Sequence, residues 1–195
     1  MFIGGIAVIA HGVPRQTRDI DATVWGPAIR PEQLIATLGK AKIGLRPDYS
    51  AEIAKRSQVL LMRHEPTDID LDIAFSWFPF EREAMDSAVE IKFKGVPICI
   101  ARPEDLILFK ATAWRNRDRD DIERLLTLHG HTIDAERVLD LVRQISQALE
   151  EPQRAVIIER MIGEARELSS PPPPSPAAAS PPPRRPRSRR RSPRR

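Results

Sequence analysis

Two short segments, Asp19-Ile20-Asp21 and Asp70-Leu71-Asp72, constrain this chain more than anything else in it. Each opens a run rich in β-formers, DIDATVW at 19–25 and IDLDIAF at 69–75. In a strand, residues two apart leave the same face, so each run aligns two carboxylates on one side and sends its intervening apolar residues to the other. Acids are poor strand residues, and carboxylates held close together repel unless a cation lies between them. Taken singly, either pair would suit a solvated strand face. If the two strands are neighbours, three or four carboxylates meet. A hard divalent ion such as Mg²⁺ takes oxygen ligands of this kind and leaves room for phosphates.

A second feature lies just upstream. Gly4-Gly5 stands between a strand end at Phe2-Ile3 and a short helix over 6–11, closed by Gly12 and Pro14. Backbone N–H groups at such a junction point outward and bind anions. A phosphate-binding turn followed after thirteen residues by a carboxylate pair suits a nucleoside triphosphate and its metal. Two ions bridged by shared carboxylates can stabilise both the attacking and the leaving oxygen of a phosphoryl group.

The remaining pattern predicts a mixed α/β (α+β) body. Helices are expected over 31–38 behind Pro31 and over 50–56 behind Ser50. Strands are expected at 59–63 and 69–75, joined by a turn at Glu65-Pro66-Thr67. A short helix over 81–87 precedes a hairpin, 89–93 and 96–100, turning at Lys94-Gly95. Pro103-Glu104-Asp105 opens a helix to about 115, and further helices are expected over 119–128, 134–149 and 152–168.

Charge divides the chain sharply. It has 195 residues, 41% hydrophobic and 30% charged, with a formal charge of +4 and 19 prolines. Ten of the prolines and eight arginines fall within 171–195, without an acid, so residues 1–170 carry −4. A basic nucleic-acid-binding fold is therefore not supported. Residues 169–195 hold nothing apolar larger than alanine and are expected to be a disordered Pro/Arg-rich tail. The organisation read from the sequence is a catalytic-type domain over 1–130, a helical extension over 131–168, and that tail. The one cysteine, Cys99, excludes an intramolecular disulfide and is expected to be a buried strand thiol. No run approaches the ~20 apolar residues of a membrane span. Residues 1–10 lack the basic start and cleavage site of a secretory signal, so a cytoplasmic protein is expected.

The residues Ile3-Gly4-Gly5, a thirteen-residue spacer and Asp19-Ile20-Asp21-Ala22 resemble the signature of the nucleotidyltransferase superfamily, the DNA polymerase β-like fold. The stretches 4–23 (GGIAVIAHGVPRQTRDIDAT) and 102–126 (RPEDLILFKATAWRNRDRDDIERLL) resemble bacterial AbiEii-type and related toxin–antitoxin nucleotidyltransferases. The likeness runs over about 1–130. It implies a nucleotidyltransferase-fold mixed sheet with flanking helices. It also implies an enzyme that moves a nucleoside monophosphate from an NTP such as ATP to an acceptor hydroxyl. An inactive nucleotide- or partner-binding module of the same fold is the alternative. Asp19 and Asp21 would hold Mg²⁺, with Asp72 as the third acid and Asp70 as its rival. Gly4 and Gly5 would contact phosphates. Arg15, Thr17 and Arg18 stand where the family often has a basic residue and a threonine. The acceptor could be an RNA end, a protein side chain or a small molecule, and a cognate antitoxin or toxin is the expected partner.

Lys110 has Leu106, Ile107, Ala113 and Trp114 as its helical neighbours, an apolar stripe on which a lysine must find an anion or snorkel. The resemblance implies that it reaches toward the triphosphate. Arg115, Asp118 and Asp121 are expected to form an ion-pair network fixing the helices. His11 is expected to be a structural helix-end residue. His129 and His131 resemble a metal tract only superficially. Trp77, Phe78 and Phe80 are expected to be core or groove residues.

Overall fold

A computed structural model describes residues 1–169. Strand β1 (Phe2–Ile3) runs directly into α1 (Gly4–Ala10), and β2 (Asp19–Trp25) follows a loop. After a 3-10 turn at Gly26–Ala28 come α2 (Pro31–Gly39), β3 (Ile43–Leu45), α3 (Ala51–Ser57), β4 (Val59–His64) and β5 (Ile69–Ser76). The chain continues through α4 (Pro79–Asp86), β6 (Val89–Phe93) and β7 (Val96–Ile100). It ends its described part with α5 (Pro103–Ala113), α6 (Asn116–His129), α7 (Ala135–Ala148) and α8 (Gln153–Ser169). The expected tail lies outside the described residues except for Ser169, which closes α8.

The local chemistry explains most boundaries. Ser50 Oγ accepts the Ile53 N–H at 3.3 Å and opens α3, and Asp134 Oδ1 accepts the Arg137 N–H at 3.0 Å and opens α7. Gln58 and Trp114, both in the left-handed region, end α3 and α5. The β6–β7 hairpin turns through Lys94 and Gly95, both at positive φ.

The seven strands form one mixed sheet in the order β3-β4-β5-β2-β1-β7-β6. Two pairings are parallel, β2 with β5 and β1 with β7, and the others are antiparallel. Although only two residues long, β1 lies between β2 and β7 and joins the two halves of the sheet. One hydrophobic cluster gathers α1, α5, α6, α7 and α8 around Val8, Leu106, Ile107, Leu125, Leu126, Val138 and Ile158. The helices of 131–168 thus share their core with α5 and α6. A second cluster, built on Leu60, Met62, Ile73 and Phe75, packs α2 and α3 against the β4–β5 end of the sheet.

Three expectations need correction. The strand β3 was not visible in the sequence, since Ile43-Gly44-Leu45 is too short to show a period. Cys99 is exposed, because Ile98 and Ile100 on β7 turn to the core and the intervening residue points to the other face. Phe78 is also exposed, at 63%, whereas Trp77 has the expected groove position, lining a cleft with Gly26, Gln58 and Phe75, and Phe80 packs on the larger cluster 5.8 Å from the Phe109 ring. Among the described residues no helix is long and apolar enough to cross a membrane.

The core assignment predicts a sharp contrast between two substitutions. Leu126 is 1% exposed and Val156 is 67% exposed. Leu126→Ala should cost about 2–5 kcal/mol in urea unfolding, and Val156→Ala should stay within about 0.5 kcal/mol of the parent.

Candidate active site

The parallel pairing of β2 and β5 sets Asp19 opposite Asp70 and Asp21 opposite Asp72. Laterally paired residues share a sheet face, so four carboxylates occupy a two-by-two block on one side. The other side carries Ala22, Val24, Leu71, Ile73 and Phe75, which belong to the cluster under α2 and α3.

The glycine pair abuts this block. Gly4 has φ +61°, and a Cβ there would collide with the Asp21 carboxylate. A Cβ at Gly5 would run into the Thr17 side chain, with the Arg15 guanidinium carbon at 3.4 Å. Glycine is required at both places by close approach, and at Gly4 by backbone conformation as well. The Gly5 N–H donates to the Asp21 carboxylate, and Thr17 Oγ1 donates to Asp19 Oδ1 at 2.9 Å.

Each acid has its own electrostatic setting. Loss of water pushes the Asp21 carboxyl above the usual range, and the Asp19 charge adds to this. The Gly5 N–H, Arg117 and Arg115 oppose them. Asp72 is also pushed up by loss of water, and Asp21, Asp19 and Asp70 reinforce the effect against Arg46. Asp70 goes the other way, held below the usual range by its hydrogen bond from Arg63. Arg63 Nε donates to Asp70 Oδ1 at 2.7 Å, Arg46 Nε lies 3.3 Å from the same oxygen, and Arg46 Nη2 donates to Asp72 Oδ1.

Among the described residues, no three acidic, histidine or cysteine side chains are arranged to hold an ion as they stand. The carboxylates instead have separate partners: Thr17, Gly5, Arg63 and Arg46. The donor set still fits a hard cation. It offers oxygen ligands only, in adjacent rows, and two of its carboxyls are raised in part by like charges that a cation would relieve.

Lys110 needs a different description from a free phosphate-reaching side chain. It is 5% exposed, with Nζ 2.6 Å from Asp121 Oδ2 and 3.4 Å from Asp118 Oδ1. The anion demanded by its apolar position is thus on α6. Asp121 also holds Arg15 Nη1 at 2.5 Å, and Asp118 accepts from Arg115 Nε at 2.7 Å. The expected ion-pair network is therefore present, and its outer members lie beside Gly5 and near Asp19 and Asp21. Arg18 is exposed in the loop just before β2.

His11 and His129 serve the scaffold. His11 Nε2 bonds to the Ala101 carbonyl at 2.8 Å, His129 Nε2 bonds to the His11 carbonyl at 2.9 Å, and the two rings meet edge to face. Arg46 and Arg63 were missed in the sequence. Arg63 could have been found, because counting back through the β4–β5 turn pairs it with Asp70. Arg46 carried no such signal, since it follows the unforeseen β3.

The family model described as "Nucleotidyl transferase AbiEii toxin, Type IV TA system" matches residues 1–179. The chain belongs to the AbiEii nucleotidyltransferase family. This AbiEii-family protein is accordingly a nucleotidyltransferase. Its fold is similar to that of the antibiotic-resistance factor ANT(2'')-Ia, with TM-score 0.52 and 22% identity over 76% of this chain and 84% of that one. A nucleotidyltransferase-like protein from Paracoccidioides brasiliensis also aligns, with TM-score 0.43 and 15% identity over 79% of this chain and 83% of that one. No curated protein matches the chain significantly.

The site makes two predictions about stability. Asp121→Asn keeps an acceptor oxygen but removes the charge that Lys110 and Arg15 share, leaving Asp118 as the carboxylate facing Lys110. It should cost about 3 kcal/mol in urea unfolding, at the lower end for one member of a buried pair. In metal-free protein, Asp21→Asn should raise the melting temperature at pH 7. The Asp21 carboxyl is raised by folding, so its ionised form opposes the fold above that folded value. The advantage of the amide variant should shrink as pH falls through it toward the unfolded value near 3.9.

Proposed function

We propose that this nucleotidyltransferase moves a nucleoside monophosphate from an NTP to an acceptor hydroxyl, with Mg²⁺ as its cofactor and within a toxin–antitoxin pair. The observation that carries the reading is the in-register block of Asp19, Asp21, Asp70 and Asp72 beside Gly4 and Gly5. Asp19, Asp21 and Asp72 are the residues that would hold the metal. When bound, the ion supplies charge neutralisation for the triphosphate and polarises the phosphorus under attack.

The chain's own groups divide the remaining work. The Gly4-Gly5 turn lets the chain pass close to Asp21 and Thr17 and offers backbone N–H groups to a phosphate, and the exposed Arg18 supplies positive charge nearby. Asp72 is the third acid because its charge environment includes Asp19 and Asp21, whereas Asp70 is set by Arg63 and Arg46. The Asp72 carboxylate takes the proton of the acceptor hydroxyl as that oxygen bonds to the α-phosphorus. The bond from this phosphorus to the pyrophosphate oxygen breaks, and pyrophosphate leaves. Lys110 acts at one remove, by fixing Asp121 and Asp118 and through them Arg15 and Arg115.

The acceptor is an RNA end, a protein side chain or a small molecule. Type IV toxin–antitoxin membership supports a cognate antitoxin as partner. The experiment is transfer from α-labelled NTPs into cell extract, with RNA, protein and small molecules resolved. Asp19→Asn and Asp21→Asn should each reduce transfer by roughly 10²–10³-fold or more, the scale seen when one preorganised electrostatic group is lost, while circular dichroism stays unchanged. Transfer at parental rates in either variant would refute this assignment.

A further inference from the structure

We infer that Arg46 is a built-in counter-ion that competes with the divalent cation for Asp72 and thereby weakens metal loading. The inference rests on the metal-dependent reading above and adds a residue that neither the family resemblance nor the acid pattern assigns.

Arg46 is held in place along its whole length. Its backbone N–H donates to the Leu61 carbonyl at 3.2 Å, continuing the β3–β4 ladder by one residue. Its Nε donates to the Met62 carbonyl at 3.3 Å, and its side chain is only 23% exposed. The guanidinium therefore reaches across β4 to β5, where Nη2 donates to Asp72 Oδ1. A surface arginine would sample many rotamers, but this one is fixed between two carboxylates, with Nη2 on Asp72 Oδ1 and Nε 3.3 Å from Asp70 Oδ1.

The four acids differ in how their charge is met. Asp70 has Arg63 as well as Arg46, Asp21 has the Gly5 N–H, and Asp19 has the Thr17 hydroxyl. Asp72 has Arg46, set against the charges of the other three carboxylates. A cation entering among Asp19, Asp21 and Asp72 must share the Asp72 carboxylate with a guanidinium already bonded to its Oδ1, and the two positive charges repel across it. Two cations contending for one anion lower each other's affinity, so Arg46 stabilises the metal-free site and opposes its loading. Arg63 provides a charge-matched comparison, since it pairs with Asp70 and Asp68 at 2.7 and 2.9 Å and makes no contact with Asp72.

The test is titration of the full chain with Mn²⁺ in the absence of nucleotide. Free Mn²⁺ is read by electron paramagnetic resonance, alongside metal-free melting temperatures, for the parent, R46Q, R63Q and R46K. R46Q should bind Mn²⁺ about tenfold more tightly, ~1.4 kcal/mol, and melt lower without metal. R63Q should change affinity by less than about twofold, because screened surface charge acts weakly at that range. R46K keeps the charge but loses the planar fork and should fall between parent and R46Q, which preserves the test if R46Q does not fold. Unchanged or weaker binding in R46Q, an equal gain in R63Q, or parental affinity in R46K would overturn the inference. If the parent binds Mn²⁺ and transfers nucleotide, such results overturn the Arg46 inference alone. Absence of Mn²⁺ binding in every protein overturns it together with the metal-dependent function.

Discussion

The whole arrangement depends on the register of one parallel strand pair. With Asp19 beside Asp70 and Asp21 beside Asp72, the alternation that builds the acid block also builds a core. Ala22 and Val24 from β2, with Leu71, Ile73 and Phe75 from β5, turn to the opposite face and join α2 and α3. A slip of one residue would bury carboxylates under those helices and expose the apolar set. Hydrophobic burial therefore fixes the position of charges that would otherwise repel one another. The active face is held by the face behind it, and no attraction among the acids is needed.

A second layer of control comes from the helices. Burying Lys110 with Asp118 and Asp121 carries a desolvation cost that the pairing must offset, so such a cluster is weak evidence for stability. Its geometry suggests positioning. Asp121 is shared between Lys110 on α5 and Arg15 on the loop before β2, and Asp118 between Lys110 and Arg115. The loop before β2 and two helices are thus tied through five charged side chains. The Arg15 guanidinium is held over the glycine pair, and the Arg115 charge acts on Asp21 and Asp19.

Much of this was legible in the sequence, for physical reasons. Period-2 alternation over seven residues placed β2 with its observed ends, and proline starts located α2 and α5. The glycine pair next to an acid pair pointed to a tight junction, and the structure gives the steric reason for glycine there, because side chains at Gly4 and Gly5 would strike Asp21 and Thr17. What was not legible depended on long-range pairing. A three-residue strand has too few positions to show a period, so β3 and the Arg46 that follows it were invisible. Exposure along β7 also depends on which face the helices cover, which no local pattern around Cys99 reveals. Lys110 was recognised as needing an anion, but the choice between a ligand phosphate and an aspartate of the next helix lay in the packing of α5 on α6.

The distribution of counter-ions differs between the two acids that sequence alone left as rivals, and this difference supports the proposed choice of Asp72. Asp70 and Asp72 face the same way and are two residues apart, so the strand period treats them alike. Their surroundings do not. Asp70 lies between two guanidinium groups and is held below the ordinary carboxylate range. Asp72 has one guanidinium set against three carboxylates and partial loss of water, and it is pushed above that range. A carboxylate already matched by arginines gains little from a metal ion or from a proton in transit. An undercompensated one gains from both. Asp21 is raised in the same way, and it is Asp72's partner across the strand pair. Asp70 thus has two guanidinium groups and Asp72 shares one of them, so the proposed metal and substrate would meet the less compensated carboxylate of β5 at Asp72.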